Sequence, residues 1–219
     1  MDPAFWLERW EAGQIGFHRD EVNPFLVRHW AALGAPRGAR VFVPLCGKSR
    51  DLAWLAAQGY SVVGVEISPI AVRDFFAEHG MTPAVVKTRH TERWHAENVT
   101  ILRGDYFELA PADLGGNVLA VYDRAALIAL PPLMRPRYAA QLSRLAPHAS
   151  ILLVTLEYPS GEMDGPPFSV EQPEIESLYG GDYRIETLEY AEVLEQNPHL
   201  KDRGLSRLRE RVYRLAPRA

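Results

Sequence analysis

Between residues 40 and 80 two short apolar runs alternate with two capped amphipathic stretches, and this order leaves few folds open. Residues 40–45, Arg-Val-Phe-Val-Pro-Leu, form the first run, and residues 61–66, Ser-Val-Val-Gly-Val-Glu, form the second. Runs this short and this apolar suit strands covered on both faces. Ser49 opens the first helical stretch, through Leu52 and Leu55 to Gly59. Ser68-Pro69 opens the second, through Ile70, Phe75 and Phe76 to Gly80. The pattern is β-α-β-α, which predicts a parallel sheet with helices on both faces.

The rest of the chain extends this reading. Asp2-Pro3 and Asn23-Pro24 are helix starts, a capping residue followed by proline at the first helical position. Trp6 and Trp10 lie four apart on one helical face, and Gly13 ends that element. Phe25, Leu26, Trp30 and Leu33 form the next stripe, stopped by Gly34. Further strands are expected at 99–103, 118–122 and 150–157, with helices at 132–146 and 174–179. Residues 81–98 are polar and show no clear period. The alternating segments 183–194 and 207–215 are joined by a stretch too short for a crossover helix, so an antiparallel pair is expected. The expected architecture is one α/β domain over residues 1–219. Its sheet is Rossmann-like, mostly parallel and seven-stranded, with a C-terminal antiparallel strand, and residues 1–34 form a helical lid.

Composition narrows the function classes. The 219 residues are 47% hydrophobic and 24% charged, with a formal net charge of −4. A mildly acidic chain is poorly suited to neutralising phosphates, so no nucleic-acid partner is expected. No apolar run approaches the roughly 20 residues needed to span a bilayer. The N-terminus lacks the basic and apolar regions of a secretory signal. Cys46 is the only cysteine; this excludes an intrachain disulfide and a cysteine-rich zinc site, and fits a reducing cytoplasm. The histidines at 90 and 95 do not form a metal-binding set, so no metal is expected.

In open α/β sheets ligands bind beyond the carboxyl ends of the strands. The first such turn is Pro44-Leu45-Cys46-Gly47-Lys48-Ser49. Gly47-Lys48-Ser49 echoes the end of a phosphate-binding loop, but position 42 is Phe inside a strand where that loop needs glycine. The dinucleotide fingerprint is absent too, because Gly47 stands alone. What remains is an acidic residue, Glu66, about 20 residues on at the end of the second strand, where a carboxylate accepts ribose hydroxyls. Read more blandly, Glu66 caps the following helix. An adenosine ligand without a pyrophosphate points to S-adenosylmethionine. Asp105 and Tyr106 follow the third of the expected strands, where they can meet an adenine. Arg124 follows the fourth, offering a fork of donors to a carboxylate; alternatively Arg124 or Asp123 belongs to a structural ion pair. Cys46 reads as packing, and His18 as a partner for its loop. Trp6 reads as core. Arg207, Arg209 and Arg211 read as a solvated strand face.

Taken together, the motifs are recognisable. They are Trp6-x3-Trp10-x2-Gly13-x3-Phe17-His18, Val41-Phe42-Val43-Pro44-Leu45-Cys46-Gly47-Lys48, Val63-Gly64-Val65-Glu66-Ile67-Ser68, Asp123-Arg124-x-Ala126-Leu127 and Gly165-Pro166-Pro167-Phe168. In this order they resemble the thiopurine S-methyltransferase family over nearly the whole chain. The resemblance implies methyl transfer from S-adenosylmethionine to the sulfur of aromatic and heterocyclic thiols, and for some bacterial members to selenium or tellurium compounds. It implies that Trp10 packs on the methionyl part of the cofactor, that Leu45 lies beside it and that Glu66 accepts the ribose. It places Asp105 and Tyr106 at the adenine, and Arg124, the expected catalytic residue, near the methionyl carboxylate and the acceptor. The family has a second arginine shortly before Gly204. Here that stretch reads Asn197-Pro198-His199-Leu200-Lys201-Asp202-Arg203, which leaves His199, Lys201 and Arg203 as candidates. A cytoplasmic monomer with a small thiol as its partner is expected. The nearest alternative is a halide, thiocyanate or metalloid-anion methyltransferase of the same superfamily; an oxidoreductase and a non-catalytic S-adenosylmethionine sensor are more distant ones.

Overall fold

The structure, a computed structural model, describes residues 3–88 and 90–218. Asp2, the expected first cap, lies outside them. The described elements are α1 (Pro3–Glu11), α2 (Pro24–His29), β1 (Arg40–Val43), α3 (Arg50–Ala57), β2 (Ser61–Glu66), α4 (Pro69–Glu78), β3 (Ala84–Lys87), β4 (Glu92–Ala96), β5 (Val99–Arg103), β6 (Val118–Arg124), α5 (Arg135–Leu145), β7 (Ser150–Glu157), α6 (Gln172–Tyr179), β8 (Tyr183–Glu192), α7 (Pro198–Lys201) and β9 (Arg209–Pro217). Short 3₁₀ turns fill several connections.

The helix starts are where the capping residues stand. Asn23 accepts the N–H of Phe25 at 2.9 Å, with Pro24 first in α2. Ser49 accepts the N–H of Asp51 at 3.2 Å at the start of α3, and Ser68 that of Ala71 at 3.2 Å at the start of α4. Each such cap contributes about 0.5–2 kcal/mol by satisfying an amide that the helix leaves unpaired.

One sheet runs through the molecule in the order β3-β4-β5-β2-β1-β6-β7-β9-β8. β5, β2, β1, β6 and β7 are parallel neighbours, and β9 and β8 close one end antiparallel. All seven expected strands are present. Two more, β3 and β4, form an antiparallel extension at the other end. They fall in the stretch that shows no period, because all four residues of β3 are exposed. A strand with no buried face carries no alternation to read. Its register is held partly by charge: Glu92 on β4 meets Arg103 Nε at 2.8 Å and Lys87 at 3.2 Å, which lowers its carboxyl to about 2.

Each face of the sheet has its own core. Phe25, Leu26, Trp30, Leu33, Leu52, Leu55, Val72, Phe75 and Phe76 pack on one face. Tyr138, Leu142, Leu145, Ile175 and Tyr179 pack on the other. Residues 24–33 of the N-terminal segment are therefore part of a core, whereas α1 lies elsewhere, over the carboxyl ends of the strands.

Candidate functional site

The strand order reverses at β1, whose neighbours β2 and β6 run off in opposite directions, and the crevice of an open α/β sheet forms there. A cavity of about 430 Å³ occupies it, within the usual range for small-molecule sites. The cavity follows the carboxyl edge from Asp105 after β5, past Glu66 and Leu45, to Arg124 at the end of β6 and Leu156 on β7. All six expected site residues, Trp10, Leu45, Glu66, Asp105, Tyr106 and Arg124, line it.

Two turns at this edge hold the left-handed conformation without glycine: Leu45 at φ 46° and Ala125 at φ 69°. Such positions are strained for side-chain-bearing residues and cluster at functional sites. They flank the reversal point on either side, just past β1 and just past β6.

Glu66 is 7% exposed, yet makes no ion pair to a described residue. Its Oε2 accepts the Gly47 N–H at 2.8 Å and its Oε1 the Ser68 N–H at 2.8 Å. Burial raises its carboxyl, and these amides pull the other way. The carboxylate thus ties the turn after β1 to the start of α4. Each oxygen retains a lone pair, so this local role leaves room for a diol.

Trp10 is buried and meets Phe17 edge-to-face at 5.6 Å. A Cβ on Gly47 would stand 3.4 Å from the Trp10 ring, so the indole rests directly against this turn. Trp6, expected as core, is half-buried, meets Phe17 at 5.6 Å and also lines the cavity. It sits one helical turn before Trp10, so both indoles reach the same mouth.

At the other strand ends the residues divide between packing and openness. Asp105 caps a 3₁₀ turn by accepting the Phe107 N–H at 2.8 Å. The Tyr106 ring is 4% exposed, lies 4.8 Å from Tyr138 and gives its hydroxyl to the Tyr138 carbonyl at 3.0 Å. Its side chain is mainly structural, although the residue lines the cavity. Asp123 is fully buried and accepts the Tyr138 hydroxyl at 2.7 Å and the Leu127 N–H at 3.3 Å. Arg124 beside it is half-buried and makes no side-chain hydrogen bond or ion pair to any described residue. The ion-pair alternative is not what the structure shows: one residue is a structural hydrogen-bond acceptor and the other is uncommitted.

Of the three C-terminal candidates, His199 and Arg203 line the cavity, and Arg203 Nη1 lies 3.4 Å from the Pro166 carbonyl. Lys201 instead pairs with Glu195 at 2.6 Å. Cys46 packs against Gly64 at 7% exposure, and burial and the nearby Glu66 push its thiol well up, so it is held as a thiol. His18 lies 3.4 Å from Asp20; burial and then the Lys48 charge lower its pKa.

Further side chains line the cavity beside the expected six. Phe107 and Arg137 form a stacked pair, with the guanidinium 4.4 Å from the ring. Asp51 is 2% exposed; its Oδ1 accepts the Asn23 N–H at 2.8 Å and its Oδ2 the Tyr122 hydroxyl at 3.0 Å. An acidic residue in a first helical turn is so common that Asp51 carried no signal of its own. Among the described residues there is no group of three or more His, Cys, Asp and Glu side chains placed to hold a metal, and no helix is long and apolar enough to cross a membrane.

Comparison with known proteins adds to this geometry. The family described as Thiopurine S-methyltransferase (TPMT) matches residues 1–218. A thiopurine S-methyltransferase of Pseudomonas fluorescens is 50% identical over 215 residues, covering 98% of this chain and 99% of its own length. Among solved structures, an S-adenosylmethionine-dependent methyltransferase from Anabaena variabilis superposes with a TM-score of 0.67 at 16% identity, covering 99% of this chain and 95% of its own. The Burkholderia thailandensis 1,6-didemethyltoxoflavin-N1-methyltransferase, solved with bound 1,6-didemethyltoxoflavin and S-adenosylhomocysteine, superposes with a TM-score of 0.61 at 19% identity, covering 98% of this chain and 87% of its own. Both superpositions establish a shared methyltransferase fold.

Proposed function

We propose, for a chain that belongs to the thiopurine S-methyltransferase family, that it transfers a methyl group from S-adenosylmethionine to the sulfur of an aromatic or heterocyclic thiol. The observation that carries this reading is the order of groups along the cavity. A buried carboxylate with spare lone pairs stands at the end of β2 and an uncommitted guanidinium at the end of β6, with apolar walls beyond. The residues fit an adenosyl amino acid: Glu66 suits the ribose diol, Arg124 a carboxylate, and the lone Gly47 offers no cradle for a pyrophosphate.

When bound, S-adenosylmethionine supplies a sulfonium methyl open to in-line attack by a thiolate. Glu66 would hold the ribose, Asp105 and Tyr106 border the adenine, and Leu45 and Trp10 flank the methionyl arm. Arg124 would fix the methionyl carboxylate and draw the anionic acceptor towards the same place. Aromatic and heterocyclic thiols ionise more readily than alkyl thiols, so the chain need not provide a strong base. Its contribution would be orientation and water exclusion, worth several kcal/mol of the barrier. Within the lid segment 1–34, we assign the covering role to α1 and the loop to Phe17. Ile128, Leu130, Met134, Leu156 and Pro167 give the acceptor end an apolar wall. That wall favours a ring-bearing acceptor over a halide or thiocyanate, which needs little apolar lining. The proposed enzyme acts as a cytoplasmic monomer on a small thiol, without nucleic acid, membrane or metal.

The test is a methyl-transfer panel with labelled S-adenosylmethionine across aromatic thiols, halides, thiocyanate, selenite and tellurite. Turnover of aromatic thiols well above the small anions supports the proposal. Preference for halide or thiocyanate would replace it with the alternative, and turnover of selenite or tellurite would add detoxification of those elements. Cofactor binding without turnover of any acceptor would indicate a sensor.

A further inference from the structure

The cavity wall contains a second buried carboxylate that the proposed chemistry leaves unused. Asp51 is 2% exposed and lines the cavity, and both its hydrogen-bond donors, the Asn23 amide and the Tyr122 hydroxyl, are neutral. No cationic side chain among the described residues forms an ion pair with it. Taking a carboxylate out of water without a counter-charge is expensive, so buried charges are ordinarily paired. The paired cation is missing from the protein on the side of Asp51 that faces the cavity.

Its position suggests what supplies that cation. Tyr122 lies on β6 two residues before Arg124, and α3 starts directly after the turn of Leu45 and Gly47. Asp51 therefore stands at the β1–β6 side of the strand-order reversal, where the amino-acid end of an adenosyl amino acid would lie when its ribose is on Glu66. That end carries two opposite charges. Arg124 can answer the carboxylate only; an α-ammonium needs an acceptor of its own. The other carboxylates on the cavity wall are less suited. Glu66 sits at the ribose end, Asp105 caps a turn after β5, and Glu21 is exposed. Glu210 is only half-buried.

We infer that Asp51, held by the Tyr122 hydroxyl and the Asn23 amide, is the counter-ion that recognises the α-ammonium of the bound S-adenosyl amino acid. This rests on the cavity being the S-adenosylmethionine site. With Arg124 it forms a two-point clamp, one charge for each charge of the amino-acid end. The donors from β6 and from the start of α2 fix the carboxylate before any ligand arrives, so little ordering is left to occur on binding. Each Asp51 oxygen keeps a lone pair for an ammonium hydrogen.

The experiment is calorimetric, with S-adenosylhomocysteine, its deaminated analogue and 5′-methylthioadenosine, which lacks the amino-acid end. Wild-type protein should bind S-adenosylhomocysteine at least about tenfold more tightly than the deaminated analogue, the scale of a charge-assisted hydrogen bond. Asp51→Asn should lose most of that preference and leave 5′-methylthioadenosine unchanged. A variant that keeps the full preference, or that loses affinity for all three ligands alike, would overturn the assignment. So would a selective loss in Glu210→Gln with none in Asp51→Asn. Because Asp51→Asn leaves one buried donor facing an amide nitrogen, a crystal structure of the wild-type complex with S-adenosylhomocysteine provides a measurement independent of the variant's folding. The ammonium nitrogen should lie within about 3.2 Å of an Asp51 oxygen or one water away; an ammonium directed to another group refutes the inference. If wild-type protein binds 5′-methylthioadenosine but does not distinguish the other two, the ammonium site fails while the adenosyl site stands. If it binds none of the three, the cofactor reading falls and this inference with it.

Discussion

A methyl group placed on Gly64 would stand 2.7 Å from the Sγ of Cys46 and 3.1 Å from a Leu52 methyl. The middle of β2 is thus in direct contact with the turn after β1, and the glycine there is required by close approach rather than by backbone conformation. Gly64→Ala should destabilise the fold by about 1–3 kcal/mol, the usual cost of overpacking. Adding Cys46→Ala removes the sulfur and should recover most of the loss. Urea denaturation of the single and double variants checks this; equal stabilities for Gly64→Ala and wild type would contradict it.

Glu66→Ala removes the acceptor of the ribose hydroxyls. In a variant shown to be folded by circular dichroism, S-adenosylhomocysteine affinity should fall by about 1.5–3 kcal/mol, the range for hydrogen bonds to a charged group. Unchanged affinity in calorimetry would remove Glu66 from the ribose.

Arg124 offers a planar fork to an anion, and no described residue occupies it. Arg124→Lys retains the charge without the fork and should lose much of the kcat/KM for an aromatic thiol, with Arg124→Ala losing more. Near-normal kinetics in Lys alone would reduce the residue to a point charge. Wild-type kinetics in both would make it structural.

Burial raises the Asp123 carboxyl to about 6, above the ~3.9 of an unfolded aspartate. Between those values the native state holds a proton that the unfolded chain releases. The contribution of this group to stability is therefore fully present below about pH 4 and declines as pH rises through about 6, by up to roughly 3 kcal/mol. Asp123→Asn cannot titrate, so the stability of wild type relative to this variant should fall over that interval. A difference independent of pH would refute the shift.

Deleting residues 1–17 removes Trp6, Trp10 and Phe17 but leaves α2, whose Phe25 and Leu26 belong to a sheet-face core. The truncated chain should still unfold cooperatively, while methyl transfer falls sharply. Normal turnover would show that α1 contributes packing alone.

What could be read from the sequence followed from burial. The runs at 40–45 and 61–66 are apolar because both faces of those strands are covered, and Glu66 is conspicuous as a charge at the end of such a run. Arg124 was visible for the same reason. β3 escaped notice because Val85 and Val86 face solvent, so tertiary pairing rather than pattern makes it a strand. The position of Tyr106 after β5 points to the ligand, whereas its ring is held by Tyr138, a partner 32 residues away that no local pattern indicates. Asp51 has no sequence signature, because its meaning comes from Tyr122 and Asn23, neither of which is its neighbour in sequence.

The strand order also separates what the chain can assemble early from what it must assemble late. β3, β4 and β5 pair in succession, and β8 meets the next strand along, β9. The centre is different, because β1 pairs with β2 on one side and on the other with β6, which begins only at Val118. Distant pairings of this kind are slow, since the intervening chain must close before any contact rewards it. The margins of the sheet can therefore form from neighbouring sequence, whereas the ledge between Leu45 and Arg124 exists only after chain segments far apart have met. A partly folded chain would have its edges before it had anywhere to hold a ligand.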